Sequence, residues 1–200
     1  MKKNLFVVGS FLCFLCFLIL AVFVTIGGTL SFDSFVYQGI QVVSIPGFWK
    51  GITYLGGFEC IVLLLVLIAL FWRQKRDSLF LILCMVMEAC LNFGLKLVFQ
   101  RPRPNVSHLV EESGYSFPSG HAMTITTFGI LLIFFLWQSK LSKNKKVFGS
   151  ILIVLLILLV SFSRVYLGVH YASDILAGIM LGSAFSLFCC SYYFHQKKLS

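Results

Sequence analysis

Three groups of polar residues stand out in an otherwise apolar chain, and together they contain the residue types that bind and transfer phosphate. In chain order they are Lys96 with Arg103-Pro104, then Pro118-Ser119-Gly120-His121, then Ser163-Arg164 with His170 and Asp174. Lysine and arginine supply fixed positive charge, and a guanidinium group can donate two parallel hydrogen bonds to one phosphate. These residue types predict an anion site with a reactive histidine beside it.

The spacing within these groups indicates what each residue can do. Ser119 and Gly120 stand where an apolar run begins, so a helix N-terminus there would offer free backbone N–H groups to an anion. His170 and Asp174 are four residues apart, on one helix face, so the carboxylate can hold one imidazole nitrogen and leave the other as a nucleophile. His121 can then protonate the leaving oxygen. The residues predict phosphoryl transfer through a phosphohistidine without a metal. Geometry alone leaves open which histidine attacks, and the Asp174 spacing favours His170.

The three groups together resemble the signature of the type 2 phosphatidic acid phosphatase superfamily, with all eleven specified positions present in order across residues 96–174. The resemblance is to the bacterial membrane branch, which acts on phosphatidylglycerophosphate or on polyprenyl diphosphates such as undecaprenyl diphosphate. It implies metal-independent hydrolysis with no cofactor. It also implies that His170 is the nucleophile, Asp174 its orienting partner and His121 the general acid. The residues implied to hold the phosphate oxygens are Lys96, Arg103, Ser119, Gly120 and Arg164.

Composition shows what kind of scaffold must carry these residues. The chain has 200 residues, of which 59% are hydrophobic and 12% charged, about half the roughly 25% charged residues of a soluble protein. A soluble domain of this size has too little interior to hide so much apolar surface. This excludes a soluble enzyme, a disordered chain and a disulfide scaffold. The seven cysteines all lie in apolar runs, where we expect them to pack rather than react.

Six apolar runs reach the length of about 20 residues that a membrane-spanning helix requires. We therefore predict an all-α polytopic membrane protein, with residues 1–200 forming a single domain whose motif-bearing core is 96–174. The predicted spans are Leu5–Gly27, Gly51–Trp72, Ser78–Phe99, Ser119–Gln138, Val147–Gly168 and Ala172–Phe194.

The basic residues predict the orientation of these spans. With both termini inside, eleven of the sixteen Lys and Arg residues lie on the inner side and five on the outer side, as the positive-inside rule requires. All three polar groups then fall at the extracytoplasmic face of the cell membrane. The net charge of +9 is explained by this topology and by anionic lipid, so we expect no nucleic-acid partner. No protein partner is implied.

The segment between the first two spans, residues 29–50, is too polar to cross the bilayer. Its apolar residues recur at near-helical spacing, which predicts a short interfacial helix in the outer leaflet ending near Pro46, with Trp49 and Lys50 as interface anchors. The apolar residues of this pattern are Phe32, Phe35, Val36, Ile40 and Val43.

Several other polar residues have two interpretations. Glu88 and Asn92 form a stripe with Lys96 on the third span, where they either bond to a neighbouring helix or act as a second shell that positions Lys96. Glu59 lies at a similar depth in the second span. The charges expected to be ordinary solvated loop residues are Arg101, Glu111 and Glu112, with contact to the lipid head group as the alternative for Arg101. The histidines expected to be structural or solvated are His108 and His195.

The sequence therefore predicts a membrane lipid phosphatase that cleaves phosphomonoester or diphosphate head groups at the outer face. Two alternatives stay open: a lipid phosphotransferase that uses an acceptor other than water, and a non-catalytic relative that binds or transports lipid phosphates. The intact His121, His170 and Asp174 argue against the non-catalytic alternative.

Overall fold

The computed structural model describes residues 2–41 and 45–199, and every regular element in that part of the chain is an α-helix. The elements are α1 (Lys2–Thr25), α2 (Leu30–Ile40), α3 (Pro46–Tyr54), α4 (Phe58–Phe71), α5 (Lys75–Phe99), α6 (Gly120–Gln138), α7 (Lys143–Tyr166) and α8 (Ala172–Leu199). In the described residues, six segments are long and apolar enough to cross a membrane, which confirms the predicted number of spans.

The second span differs most from its predicted limits. It begins at Pro46 rather than Gly51, because α3 and α4 follow one another as a single apolar segment, Pro46–Phe71. Proline is well suited to a first helical turn, where its missing N–H costs no hydrogen bond. The break between the two helices contains Gly56, where a Cβ would overlap the side chain of Val160 on α7. The break thus lets the span pack closely on α7.

Trp49 on α3 also differs from its predicted role as an interface anchor. Its ring is buried, with its centroid 4.8 Å from that of Phe162 and 5.7 Å from that of Tyr166. Because Trp49 belongs to the spanning segment, it packs against α7 instead of ending an interfacial helix.

The centre of the bundle is formed by α6 and α8. In the most apolar stretch of each of these helices, about 56% of the residues are buried. The corresponding share is 11% for α1, whose large side chains face outward. Two glycines on α8 let this helix approach α6 closely. A Cβ at Gly178 would lie only 2.8 Å from the Ser119 carbonyl oxygen, and a Cβ at Gly182 would lie 2.8 Å from the Met123 carbonyl oxygen. This contact places the start of α6 beside the start of α8.

A helix is present between the first two spans, as predicted, over Leu30–Ile40. Val36 and Ile40 pack against an apolar cluster that includes Ala172 and Ile175 of α8. Val43, which the sequence assigned to the same amphipathic pattern, lies outside the described residues. The placement of α2 at the membrane interface stays a prediction.

The segment between α5 and α6 has no regular structure and runs over one end of the bundle. It is held by backbone hydrogen bonds from Leu109 N–H to the Leu167 carbonyl (3.0 Å) and from Ser116 N–H to the Arg101 carbonyl (2.9 Å). The segment therefore connects the ends of α5, α6 and α7, where the three polar groups lie.

Candidate active site

His170 and Asp174 meet where the turn after α7 leads into α8. The turn contains Gly168 at φ +76°, and its missing Cβ lets the backbone pass the Ser107 carbonyl oxygen, which would lie 2.9 Å from a Cβ. His170 Nδ1 is 3.4 Å from Asp174 Oδ2, and that oxygen also accepts a 3.0 Å hydrogen bond from Tyr171 N–H. Both side chains are buried. The carboxylate therefore orients the imidazole from one side.

The other nitrogen of His170 faces a cation. Its Nε2 is 3.4 Å from Arg103 Nη1, and Arg103 is itself held by hydrogen bonds to the carbonyls of Val169 and Ser113, each 2.8 Å long. This network assigns the imidazole proton to Nδ1, since Asp174 accepts there. The lone pair of Nε2 then points toward the guanidinium group, where a phosphate oxygen would bind.

Burial keeps the imidazole of His170 neutral. Loss of solvation lowers its pKa to about 4, with Arg164 and Arg103 lowering it further and Asp174 opposing the shift. A neutral imidazole at neutral pH has an available lone pair, as a nucleophile requires.

Arg164 lies at the end of α7 and is almost fully buried. Its Nη1 donates a 2.7 Å hydrogen bond to Thr53 Oγ1 on α3, and its Nη2 donates to the carboxylate of Glu112. In the part of the chain that the structure describes, its Nε has no hydrogen-bond partner. A buried N–H without a partner is costly, so this donor is available to an anion.

Glu112 was predicted to be a solvated loop residue, and the structure shows that this was wrong. Besides Arg164, its carboxylate lies 3.4 Å from Arg103 Nη2 and 4.0 Å from His121 Nδ1. Backbone hydrogen bonds at Leu109 and Ser116 hold the segment before α6 on either side of Glu112. They bring Glu112 into the cationic centre formed by Arg103 and Arg164, which was predicted to bind phosphate. The neighbouring Glu111 is exposed, as predicted.

His121 lines a cavity of about 910 Å³ that it shares with Arg164, Glu112 and Thr53. Glu59 of α4 and Lys50 of α3 lie on its wall, and both are exposed to it. The cavity gives a substrate head group a route to the cationic centre between the α5–α6 segment and the second span.

Lys96 and Gly120 are two further residues predicted to bind phosphate. Lys96 Nζ donates a 2.6 Å hydrogen bond to the Tyr115 carbonyl, and its charge interacts with those of Arg103 and Asp174. Gly120 begins α6, where helix geometry leaves its N–H without an intrahelical acceptor.

The prediction of a free backbone N–H at Ser119 is wrong. Its N–H donates to the Asp174 carbonyl at 3.1 Å, and its hydroxyl oxygen accepts from Ala122 N–H at 3.4 Å. Because the packing of α6 on α8 buries Ser119 completely, it caps α6 and ties it to α8.

Glu88 and Asn92 contact α6, which supports the first of their two interpretations. Glu88 accepts hydrogen bonds from Thr124 Oγ1 at 3.2 and 3.3 Å. Asn92 Nδ2 is 3.5 Å from the Pro118 carbonyl oxygen, and a Cβ at Gly120 would lie 3.3 Å from Asn92 Oδ1. The two residues thus support the second polar group rather than Lys96.

Sequence reasoning missed one further cluster. Arg101, predicted to be solvated, has a side chain only 11% exposed and lies between Asp33 and Asp174. Asp33 is the only charged residue of α2, and this isolated charge was the available signal. Within residues 2–41 and 45–199, no three His, Cys, Asp or Glu side chains are arranged to hold a metal ion.

Comparison with known proteins places this geometry in a family. The PAP2 superfamily pattern matches residues 77–198. Phosphatidylglycerophosphatase B of Bacillus subtilis is 37% identical over 179 residues, covering 84% of this chain and 87% of the relative. Undecaprenyl-diphosphatase of Sulfolobus acidocaldarius is 30% identical over 181 residues, covering 84% of each chain. A crystal structure of a transmembrane PAP2-type phosphatidylglycerolphosphate phosphatase from Bacillus subtilis superimposes with a TM-score of 0.85 at 31% identity, over 94% of this chain and 96% of the other.

Proposed function

The chain belongs to the PAP2 superfamily and is a multi-pass membrane lipid phosphatase, and on this premise we propose that it cleaves lipid phosphate head groups through a phosphohistidine at His170. The observation that carries the proposal is the division of the imidazole nitrogens. Nδ1 faces Asp174 at 3.4 Å, and Nε2 faces Arg103 at 3.4 Å. One nitrogen is oriented and the other is directed at an anion site.

In the first step, the lone pair of His170 Nε2 attacks phosphorus and forms a P–N bond. The P–O bond to the lipid breaks, and His121 gives its proton to the leaving oxygen. Arg103 and Arg164 bind the phosphoryl oxygens as negative charge develops on them. Asp174 stabilises the positive charge that forms on the imidazole.

In the second step, His121 accepts a proton from water while the water oxygen attacks phosphorus. The P–N bond breaks, inorganic phosphate leaves, and His170 returns to its neutral form. The donors to phosphate are fixed side chains and the start of α6, so the charge in both steps is balanced by this chain's own cations.

The substrate we propose is phosphatidylglycerophosphate, undecaprenyl diphosphate, or both. Support comes from the two relatives, one named for each lipid, which match most of this chain. The cavity beside His121 and Arg164 leaves room for a head group, while the lipid chain stays in the bilayer.

We place the site at the extracytoplasmic face of the cell membrane, with both termini in the cytoplasm, because of the distribution of Lys and Arg. Cysteine substitution tests this placement in intact cells with a membrane-impermeant maleimide. Ser113, an exposed residue beside the site, should be labelled as Ser113→Cys, whereas Ser142→Cys at the opposite end should be labelled only after lysis. The reverse pattern would place the site in the cytoplasm.

The decisive assay measures phosphate release by purified protein in detergent from phosphatidylglycerophosphate, phosphatidate and undecaprenyl diphosphate. We expect turnover of at least one of the two proposed lipids, no change on adding chelator, and loss of turnover in His170→Ala. Undiminished release by His170→Ala would contradict the mechanism, and loss with chelator would contradict metal independence. Glycerol added as an acceptor should not lower the phosphate yield. A lower yield would indicate a phosphotransferase.

A further inference from the structure

A single guanidinium group lies between two buried carboxylates behind the proposed nucleophile. Arg101 Nη2 is 2.8 Å from Asp33 Oδ2 on α2, and Arg101 Nη1 is 2.5 Å from Asp174 Oδ1 on α8. Tyr171 covers the guanidinium group, with its ring centroid 4.0 Å from Arg101 Cζ. The side chains of Asp33 and Asp174 are 1% and 0% exposed, so bulk water does not solvate the negative charge of either carboxylate.

Ser173 closes this arrangement into a ring. Its N–H donates to Asp33 Oδ1 at 2.8 Å and its hydroxyl donates to Asp33 Oδ2 at 2.7 Å, while Arg101 Nη1 donates to the Ser173 hydroxyl oxygen at 2.8 Å. Asp33 thus caps the N-terminus of α8 from a different helix, where a negative charge is stabilised by the helix dipole. A residue distant in the chain therefore fixes the turn that carries Asp174.

The same contacts fix both oxygens of the Asp174 carboxylate. Oδ1 is held by Arg101, and Oδ2 accepts from Tyr171 N–H at 3.0 Å and lies 3.4 Å from His170 Nδ1. With Oδ1 held, the carboxylate cannot rotate away from the imidazole. Arg101 acts on His170 only through Asp174.

Charge explains why two carboxylates share this cation. Arg101 alone would neutralise Asp174 and weaken the negative field that stabilises an imidazolium at His170. Asp33 supplies a second negative charge, so the trio keeps a net charge of −1, and part of that charge stays available to His170.

We propose that Arg101 and Asp33 are positioning residues for phosphoryl transfer, which hold the Asp174 carboxylate against His170 and preserve its charge. The inference rests on the proposed function of His170. A competing explanation is that the ring only fastens α2 to α8, and the test must separate a structural role from a catalytic one.

The variants are Arg101→Lys, Arg101→Gln and Asp33→Asn, with Gln41→Ala as a matched control. Gln41 also ties the end of α2 to the core, through a 3.0 Å hydrogen bond from its Nε2 to the Tyr166 carbonyl, but it is not part of the ring. Thermal stability in detergent and phosphate release per folded molecule are measured for each.

We expect kcat on phosphatidylglycerophosphate, or on undecaprenyl diphosphate if that is the lipid turned over, to fall about tenfold to a hundredfold in Asp33→Asn and Arg101→Gln, as for a small misplacement of a reacting group. KM should change little, since neither residue contacts phosphate. Arg101→Lys should recover part of the loss because it keeps the charge, and Gln41→Ala should keep kcat close to the parent value. The rate of phosphohistidine formation in a rapid-quench experiment should fall with kcat.

The pH profile gives a readout that a purely structural role would not move. In Asp33→Asn, Arg101 cancels more of the Asp174 charge, so His170 should hold its proton less tightly and the acidic limb of kcat/KM should move to lower pH. The other charged groups that face His170 are unchanged: Arg103, Arg164 and His121.

The proposal is overturned if Asp33→Asn and Arg101→Lys keep the parent kcat and pH profile per folded molecule. If Arg101→Gln does not fold, Asp33→Asn and Arg101→Lys still distinguish a catalytic role of these residues from a structural one. Failure of the proposed function gives a different result, because His170→Ala would then retain activity. An inactive His170→Ala together with fully active ring variants would remove only this inference.

Discussion

His170, in the turn before α8, faces Asp174 in the first turn of that helix, with Nδ1 3.4 Å from Oδ2. This contact occupies one imidazole nitrogen and leaves Nε2 directed at Arg103. His121 is paired less closely: its Nδ1 is 4.0 Å from Glu112 Oε1, at the wall of a cavity. We therefore propose different tasks for the two histidines, with His170 attacking phosphorus and His121 exchanging protons with the leaving group and water.

The two tasks predict different responses to the leaving group. His121→Ala should lower kcat by about a hundredfold to ten-thousandfold on a lipid phosphomonoester, because an alcohol oxygen needs a proton to leave. With an aryl phosphate, whose phenolate leaves unprotonated, the first step should recover much of its rate and give a burst of phenolate, while turnover stays limited by slow hydrolysis of the phosphoenzyme. His170→Ala should be inactive on both substrates, since no P–N bond forms.

Phosphoenzyme trapping checks this assignment independently. Acid-labile label from a radioactive phosphate should accumulate on His121→Ala during turnover of the aryl phosphate, because loss of the base slows hydrolysis of the intermediate. His170→Ala should take up no label. Label found on His170→Ala would exchange the roles of the two histidines.

The pH dependence of activity follows from the buried state of His170. Its pKa is lowered to about 4, so the imidazole stays neutral as pH falls from neutrality and becomes protonated only near that value. The acidic limb of kcat/KM should therefore lie well below the ordinary histidine value of about 6.5. The measurement is kcat/KM against pH, divided by the separately titrated ionisation of the substrate. A limb near the ordinary histidine value would mean that His170 is not buried as the structure shows.

Glu112 contacts the same cations that we propose as phosphate ligands. Its carboxylate contacts Arg164 and lies 3.4 Å from Arg103 Nη2, so an incoming anion is repelled by it and must share or replace these contacts. Glu112→Gln removes one negative charge, and we expect the inhibition constant for inorganic phosphate to fall about tenfold. Glu111→Gln, at an exposed neighbouring position, is the matched control and should change it little. Equal effects of the two substitutions would mean that phosphate affinity depends on the overall charge of the protein and not on the contacts of Glu112 with Arg103 and Arg164.

The contact between α6 and α8 should be sensitive to a single methyl group. A Cβ at Gly178 would lie 2.8 Å from the Ser119 carbonyl oxygen and 3.1 Å from Met123 N, neither of which can move without shifting α6. Gly178→Ala should destabilise the protein by about 1–3 kcal/mol, as overpacking does. Thermal unfolding in detergent measures the effect.

Gly94 on α5 provides the control for this substitution. Among the described residues, no atom of another element lies within 4 Å of a Cβ at that position, so Gly94→Ala should be neutral or slightly stabilising, since alanine is the better helix former. If both variants unfold at the same temperature, the contact between α6 and α8 does not require glycine at position 178.

Much of the fold was predictable because its signals are local. A membrane-spanning helix is recognisable from one continuous apolar run, and all six runs became helices. The close approach of Gly56 to Val160 was not predictable, because the two residues are about a hundred positions apart in the chain.

The site shows the same division between local and distant contacts. The i, i+4 spacing of His170 and Asp174 predicted their pairing, but His170 lies in the turn before α8, so it is this turn and not a shared helix face that brings the two side chains together. Arg101 and Glu112 were expected to be solvated, because nothing near them in the sequence shows that Asp33 or Arg164 will reach them.

By itself, the sequence determined that this chain spans a membrane six times and carries the residues of a phosphate-transferring site, because hydropathy and motif spacing depend on residues close together in the chain. Only the tertiary structure decided which charges surround the proposed nucleophile. The ion pairs of Arg101 with Asp33 and with Asp174 join α2, the α5–α6 segment and α8. Such a cluster depends on how the helices pack, because a buried charge that lacks its partner is strongly destabilising.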